Sequence, residues 1–549
     1  MRYTIIAICV VWCGLCGAVP LRVESAHDSI LVELSLPTPR TAEIRLAGRR
    51  YVEVTSPGIA SGGSSGSPSL PRLSRLVAVP PGRIAVLGDV TADDESLPTR
   101  FPPSPVPELR RHCGGSRNEA RPSPAAYAAA HATPPARLSV TSHAGPVRAA
   151  LLTLSPVRTT ADGGLVFSRR LTARIHFVPA ESPAPPVGSG VDDATARLLH
   201  AVFLNPAAAV AAISPSPRRR DLILAGPAYA EPIGLLVRFK RAQGREVDLR
   251  ILARPTVDQV QGILREAYAS SSPPSHTLLV GSIDEIPSFR RGSYWSDYPY
   301  TLLDAGNYPD LSIARLPAHG PDELGRAIAK IIRRESAPRD DWAFLVTSGY
   351  ETGWCHVNLK FIMEKLFPGS SVPIRVTKLY ASEGAKTDRV IEGYNANPNV
   401  IVYDGHGNAQ GMTEIPLLID HLQRLRNTVP PLVFDIACLN SYWPTSGASA
   451  RNFADSILTV ADHGPAGILA ASSNSGGHDL FRHVFRGAIY DEQSPSEPHH
   501  RLNEVGTAVL YGKLKYLEQL HGSADALADN QMFYYHGDPA STVFTEAGL

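Results

Sequence analysis

The alternation of apolar and polar positions divides the chain into two kinds of sequence. From about residue 28 to 180, short runs such as Ile30–Leu36, Ala42–Leu46 and Tyr51–Thr55 place apolar residues at every second position and end at Pro or Gly. Runs of that length and period predict β-strands with one buried face. Leu76–Val79, then Pro80-Pro81-Gly82, then Ile84–Leu87 predicts a hairpin, and strands resume at Val147–Leu154 and Leu171–Val178. Residues 98–138 are rich in Pro and Ala and predict a long loop. The Ala-rich segment 193–213 predicts helix, and Ser214–Arg220 predicts an exposed linker.

Beyond Asp221 the period changes. Apolar strands (Leu222–Ala225, Val247–Leu252, Thr277–Val280, Ala343–Thr347, Val400–Tyr403, Leu432–Ile436, Gly467–Ala471) alternate with amphipathic segments such as Ile233–Gln243, Val257–Ala269, Leu324–Arg334 and Val357–Phe367. Near-continuous apolar strands separated by helices imply a mostly parallel sheet covered on both faces. The expected organisation is a β-rich domain over 19–213, a linker over 214–220 and an α/β sandwich over 221–549.

The first 18 residues carry Arg2, an apolar core from Ile5 to Trp12 and small residues Gly14, Gly17 and Ala18. A positive start, a short apolar core and a small-residue end predict a secretory signal peptide cut near Ala18. Its apolar core is short for a spanning helix, which needs about 20 residues, and no later stretch is apolar enough to span. The expected location is therefore secreted, periplasmic or cell-surface. Of six cysteines, Cys9, Cys13 and Cys16 leave with the signal; Cys113, Cys355 and Cys438 remain. An odd number in an exported chain leaves at least one thiol unpaired. Lys+Arg (53) nearly equals Asp+Glu (52), which argues against a nucleic-acid partner, since a polyanion binder carries a large basic excess.

In open parallel sheets, chemistry gathers at the carboxyl ends of strands. Two strands here run into polar turns. Asn399-Val400-Ile401-Val402-Tyr403-Asp404 ends in Gly405-His406-Gly407-Asn408, and Pro431-Leu432-Val433-Phe434-Asp435-Ile436 ends in Ala437-Cys438-Leu439-Asn440. About 30 residues separate His406 from Cys438, room for one crossover between neighbouring strands. A Cys beside a His is a nucleophile–base combination, because a nearby imidazole raises the thiolate fraction at neutral pH. The glycines allow close backbone approach, and the Gly407 N–H is a candidate oxyanion donor.

These two motifs resemble the gingipain family of cysteine peptidases, in the caspase-like clan. Leu278–Pro287, Ser296-Asp297-Tyr298, Tyr308–Pro317 and Gly537-Asp538-Pro539 are similar to further segments of that family, in the same order. Gly66–Pro71 and Val77–Gly82 resemble its β-rich propeptide. The resemblance implies a caspase-like three-layer α/β/α sandwich with a mostly parallel sheet, preceded by a β-rich, sandwich-like N-terminal domain. It implies Cys438 as nucleophile, His406 as general base and acid, and the Gly407 and Cys438 N–H groups as oxyanion hole. It also implies an acid that orients the histidine; Glu351 is the candidate, with Tyr350 the alternative one residue earlier. The family's known members favour Arg or Lys through an acid shortly after that position, whereas Thr352–Lys360 contains no Asp or Glu.

The expected function is thus a secreted cysteine endopeptidase, acting on protein or peptide substrates and made as a zymogen-like precursor. In that precursor the N-terminal domain would cover the cleft, with Arg218-Arg219-Arg220 as a candidate processing site. The chemistry requires no cofactor. Calcium is a further expectation from the resemblance, with Asp297, Asp304 and Asp310 as hard oxygen ligands. The rival expectation is a non-catalytic surface binding protein on a degenerate gingipain-like scaffold.

Overall fold

The computed structural model describes residues 8–10, 21–107, 121–181, 190–211, 213–215, 219–304, 306–338, 342–347, 374–443, 451–476, 478–489 and 502–544. Ten strands form the central sheet of the larger domain. In chain order they are β1 (Arg220–Ala225), β2 (Glu246–Ile251), β3 (His276–Val280), β4 (Ser312–Leu316), β5 (Trp342–Thr347), β6 (Arg375–Tyr380), β7 (Val400–Asp404), β8 (Leu432–Ile436), β9 (Gly467–Ala471) and β10 (Phe533–Gly537). Their order across the sheet is β2-β1-β3-β4-β10-β9-β8-β7-β5-β6. Strands within β2-β1-β3-β4 are parallel to one another, as are those within β9-β8-β7-β5-β6. β10 joins the two halves. It runs antiparallel to β9 along its length and meets β4 at the single pair Arg315–His536.

Alternate residues of each strand serve opposite faces. On β7, Val400 and Val402 join the core under helices α1 (Ala230–Ala242), α3 (Pro321–Ser336), α6 (His478–Ala488) and α7 (Val505–Gln519). Ile401 and Tyr403 join the core under α4 (Thr387–Asn395) and α5 (Phe453–Thr459). On the same side, α2 (Val257–Tyr268) covers β1 and β3 through Val260 and Leu264. The α2 start is fixed by a capping box between Thr256 and Gln259. The domain is therefore a three-layer α/β/α sandwich of caspase-like type with a mostly parallel sheet.

Buried charges lock the strand starts of both halves along one edge. Lys240 bridges Asp221, at the start of β1, and Asp538, just past β10, at 3.0 and 2.7 Å. Arg334 donates to the Asn399 and Pro430 carbonyls, just before β7 and β8, and to the Thr542 carbonyl beyond β10. The opposite edge then carries the carboxyl ends.

The N-terminal domain is β-rich. One sheet pairs Leu165–Pro179 with Ser29–Ser35, Arg83–Leu97 and Val157–Thr159, and Ser29–Ser35 with Leu21–Ser25; a second is built from Ala136–Ala144, Val147–Leu154 and Leu73–Ala78. Residues Ile8–Val10, within the expected signal segment, pair with Leu21–Ser25. The three-stranded sheet is apolar on both faces: Ala150, Leu152 and Val77 face the domain's own core, while Leu76, Ala149 and Leu151 join the core shared with α7. Its edge strand, Leu73–Ala78, is closed by side chains and by one backbone bridge, from Leu204 N–H to the Leu76 carbonyl (2.8 Å). Leu76 N–H donates to Glu518 Oε2 (2.8 Å), Ala78 N–H to Asn205 Oδ1 (2.8 Å), and Ser74 Oγ lies 2.7 Å from His521 Nδ1. Unsatisfied edge groups are costly when buried, so the pairings with Glu518 and His521 fix the docking, while Asn205 closes the edge from within the N-terminal domain.

The expected hairpin does not form: Leu73–Ala78 pairs with Val147–Leu154 and Arg83–Leu97 with Leu165–Pro179, in separate sheets. The described interdomain bonds fall on α7, on the loop around Asp304–Pro309 and on Ser275. Among the described residues, docking is thus seen on the flank of the first half of the sheet, while residues 108–120 and 182–189 of the N-terminal domain lie outside the described residues. In the segment 214–220, residues 216–218 lie outside the described residues, and those on either side are held. Ser214–Pro215 pairs with Gly190–Val191, Arg219 is salt-bridged to Glu504 (2.8 Å), and Arg220 already opens β1, with its guanidinium on Asp248 and the Ser272 carbonyl.

Candidate active site

β7 and β8 are parallel neighbours and fully buried, with Tyr403 opposite Asp435 and Asp404 opposite Ile436. Their turns must therefore leave the same edge side by side. Gly405 N–H donates to the Ile436 carbonyl (3.3 Å), which ties the roots of the two turns together. At Gly407 the backbones nearly touch. A Cβ there would lie 2.4 Å from Asn440 Oδ1, 2.8 Å from the Cys438 carbonyl oxygen and 2.9 Å from Ala437 Cβ. Glycine is required at 407 by this approach alone.

Cys438 carries a half-buried thiol. The Ser475 N–H points at its sulfur from 3.4 Å, with the Ser475 carbonyl at 3.8 Å. The N–H can donate to the sulfur and the carbonyl can accept from its S–H, so the pair holds the sulfur in place in either form. The next residue, Leu439, has φ +63°. A non-glycine in this region costs about 1–2 kcal/mol, so the turn must be held. Leu439 N–H donates to the Ser473 carbonyl, Ser441 N–H to Ala471, Tyr442 N–H back to Leu439, and Ala454 N–H to Asn440. Those bonds lash the Cys438 turn to the ends of β9 and α5.

His406 sits on a more open turn; its side chain is 38% exposed. Its carbonyl is pinned twice, by the Tyr403 hydroxyl (2.7 Å) and by Thr413 N–H (3.1 Å). The chain then folds into a small antiparallel sheet of Gly407–Asn408, Gly411–Met412 and Leu417–Leu418. That sheet carries Glu414, whose Oε1 lies 3.4 Å from His406 Nε2.

A buried polar layer underlies both turns. Asn440 Nδ2 donates to Asp435 Oδ2 at 2.5 Å, while its Oδ1 is the atom packed against Gly407. Burial pushes the Asp435 carboxyl up to about 7; the Asn440 amide opposes the rise and the nearby Asp404 carboxylate adds to it. Further along, Ser441 Oγ lies 2.7 Å from His536 Nε2, and Trp443 Nε1 donates to Asp455 (2.6 Å). Burial pushes His536 down to about 4 despite Asp455. Ser441, His536 and Asp455 are fully enclosed, so this serine–histidine–aspartate set has no access to substrate and serves to hold the post-Cys438 segment.

The structure thus brings His406, Gly407 and Cys438 together. Glu351 and its alternative Tyr350 lie outside the described residues. The three acids considered for calcium are engaged elsewhere: Asp297 bidentate with Arg315 (2.8 and 2.8 Å), Asp304 with His143 (2.5 Å), and Asp310 accepting from Leu303 N–H. Among the described residues no group of three or more His, Cys, Asp or Glu is placed to hold a metal ion. Sequence reasoning missed Glu414, Ser475 and the Asp435–Asn440 strut. The last lay inside the quoted motif; the other two sit in loops or two-residue strands that leave no periodic signal.

Residues 216–544 match the family model described as Peptidase family C25. Lys-gingipain HG66 of Porphyromonas gingivalis is 21% identical over 347 residues, covering 57% of this chain and 20% of that protein. The chain therefore spans about a fifth of the length of that relative. Among solved structures, the Arg-specific cysteine proteinase gingipain R (RGPB) superposes with a TM-score of 0.52 at 17% identity, over 60% of this chain and 80% of that one. The complex of Porphyromonas gingivalis RgpB pro- and mature domains gives 0.51 at 19% identity, over 59% of this chain and 81% of that one.

Proposed function

The chain belongs to peptidase family C25, the gingipain family of cysteine peptidases, and from that premise we propose that it is a secreted endopeptidase whose Cys438 forms a thioester with substrate. The Cys438 sulfur attacks the scissile carbonyl carbon, and the resulting oxyanion is held by backbone N–H groups of Gly407 and Cys438. Each such donor is worth about 10²–10³ in rate. His406 takes the thiol proton and delivers it to the departing amine as the C–N bond breaks. Water then attacks the thioester with His406 as base, releasing the new carboxyl end and restoring the thiol.

The observation that carries this reading is the fit of Gly407 against the Ala437–Asn440 turn. It holds the histidine and cysteine turns at one open edge without a side chain between them. The Ser475 N–H on the sulfur adds support. The N-terminal domain is read as a propeptide that docks intramolecularly on α7. Holding α7 and the 304–309 loop, it restrains the peptidase from the side. The leader sequence supports export, and among the described residues no helix is long and apolar enough to cross a membrane.

The test is hydrolysis of a peptide library by the full chain, by Cys438→Ala and by His406→Ala. Loss of at least about 10³ in kcat/KM in both variants supports the reading. Equal activity in Cys438→Ala overturns it. No hydrolysis by wild type, before or after release of the N-terminal domain, favours a binding protein on this scaffold.

A further inference from the structure

We propose that Glu414 is a positioning residue for His406, a role that rests on the peptidase reading above. The argument starts from register. Gly407 pairs with Met412, and Thr413 N–H donates to the His406 carbonyl, so residue 414 is delivered beside the His406 ring by backbone bonds rather than by chance rotamers. The same carbonyl accepts from the Tyr403 hydroxyl, which ties the end of β7 into the arrangement. Met412 and Leu417 of the small sheet are fully buried in the core under α4 and α5. The platform carrying Glu414 is therefore anchored in packed core, with the Glu414 side chain 21% exposed and its Oε2 buried.

The 3.4 Å separation between Glu414 Oε1 and His406 Nε2 suits an ion pair with the imidazolium. In the reaction His406 is cationic after it has taken the thiol proton and before the amine leaves. A fixed carboxylate at that distance favours this form and holds the ring plane, as the third member does in other nucleophile–histidine sets. The remaining ionisable groups on the elements around the ring are Tyr403 and Asp404 at the end of β7, and Asp435 and Cys438 on β8 and its turn. Asp404 and Asp435 are fully buried below the turn, so among the described residues Glu414 is the carboxylate that meets the ring.

Two readouts on the full chain test this. The first is an NMR titration of His406, its resonance assigned by its absence from His406→Gln, in wild type, Glu414→Gln and Glu414→Asp. Removing a carboxylate held against an imidazole takes away a charge that favours the imidazolium, so the titration curve falls to lower pH. Glu414→Gln is expected to show that fall, with Glu414→Asp intermediate. The second is kinetic: Glu414→Gln lowers kcat about tenfold to a hundredfold with KM little changed, moves the His406-dependent limb of the pH profile to lower pH, and is partly rescued by Asp. An unmoved His406 titration with unchanged kcat overturns the proposal, as does an effect found in Glu351→Gln and absent from Glu414→Gln. The titration needs no turnover, so inactivity of the wild type would sink the peptidase reading while leaving Glu414 judged on its own measurement.

Discussion

The two halves of the central sheet carry similar chemistry to different ends. In the first half, Asp297 and Arg315 look reactive in sequence, yet the structure spends them on each other. Arg315 is fully buried, makes two bonds to Asp297, donates to the Gly281, Ser282 and Ile286 carbonyls, and lies under Trp443. In the second half, His406 and Cys438 keep open faces, and the buried groups beneath them hold backbone in place. A polar residue at a strand end is thus structural when its partners exhaust its valences, and chemical when its own backbone is pinned and its side chain is not.

That contrast can be broken by mutation. The largest effect is expected at Cys438: Cys438→Ala loses at least about 10³ in kcat/KM with a melting temperature close to wild type. Arg315→Met should do the reverse. It leaves Asp297 buried without its cation, a change that costs about 3–5 kcal/mol, read by urea unfolding, and the kinetics of the surviving folded protein change little.

Asp435 sharpens the comparison through pH. The folded protein keeps its proton up to about 7, whereas an unfolded carboxyl loses it near about 4. Between those values the folded state binds more protons, so stability falls as pH rises from about 4 to about 7 and is level above. In Asp435→Asn that contribution disappears, and the slope of the urea midpoint against pH flattens by up to a few kcal/mol across the window. Gly407→Ala comes next. The added methyl meets Asn440 Oδ1 and the Cys438 carbonyl, so hydrolysis is expected to drop about tenfold to a hundredfold and stability to fall by about 1–3 kcal/mol as the turns move apart. The smallest effect belongs to Leu439→Gly, which relieves the left-handed strain and changes stability by no more than about 1 kcal/mol.

Much of this architecture was legible before any coordinates. Apolar strands β1, β3, β7, β8 and β9 announced themselves because both faces are buried, and the turns after β7 and β8 were readable because glycine, histidine and cysteine break an apolar run. Glu414 was not legible. Its position depends on strands two residues long, whose pairing is set by the Gly407–Met412 register and leaves no period. The flank contact of the N-terminal domain was not legible for a related reason. Leu76 and Leu151 read as ordinary core, and nothing local tells that their strands bury a second face against α7. The Arg219–Arg220 pair read as linker because charge dominates its composition, while its strand pairing and its bonds to Glu504 and Asp248 come from sequence-distant elements.

The central claim is that the Cys438 turn is built to be attacked from and the rest of the polar edge is not. The most direct measurement is labelling of the full chain with a peptidyl acyloxymethyl ketone, mapped by mass spectrometry, in wild type and His406→Ala. The account predicts one label per chain, on Cys438, formed much more slowly without His406. Labelling at another residue, or equal labelling with and without His406, would contradict it.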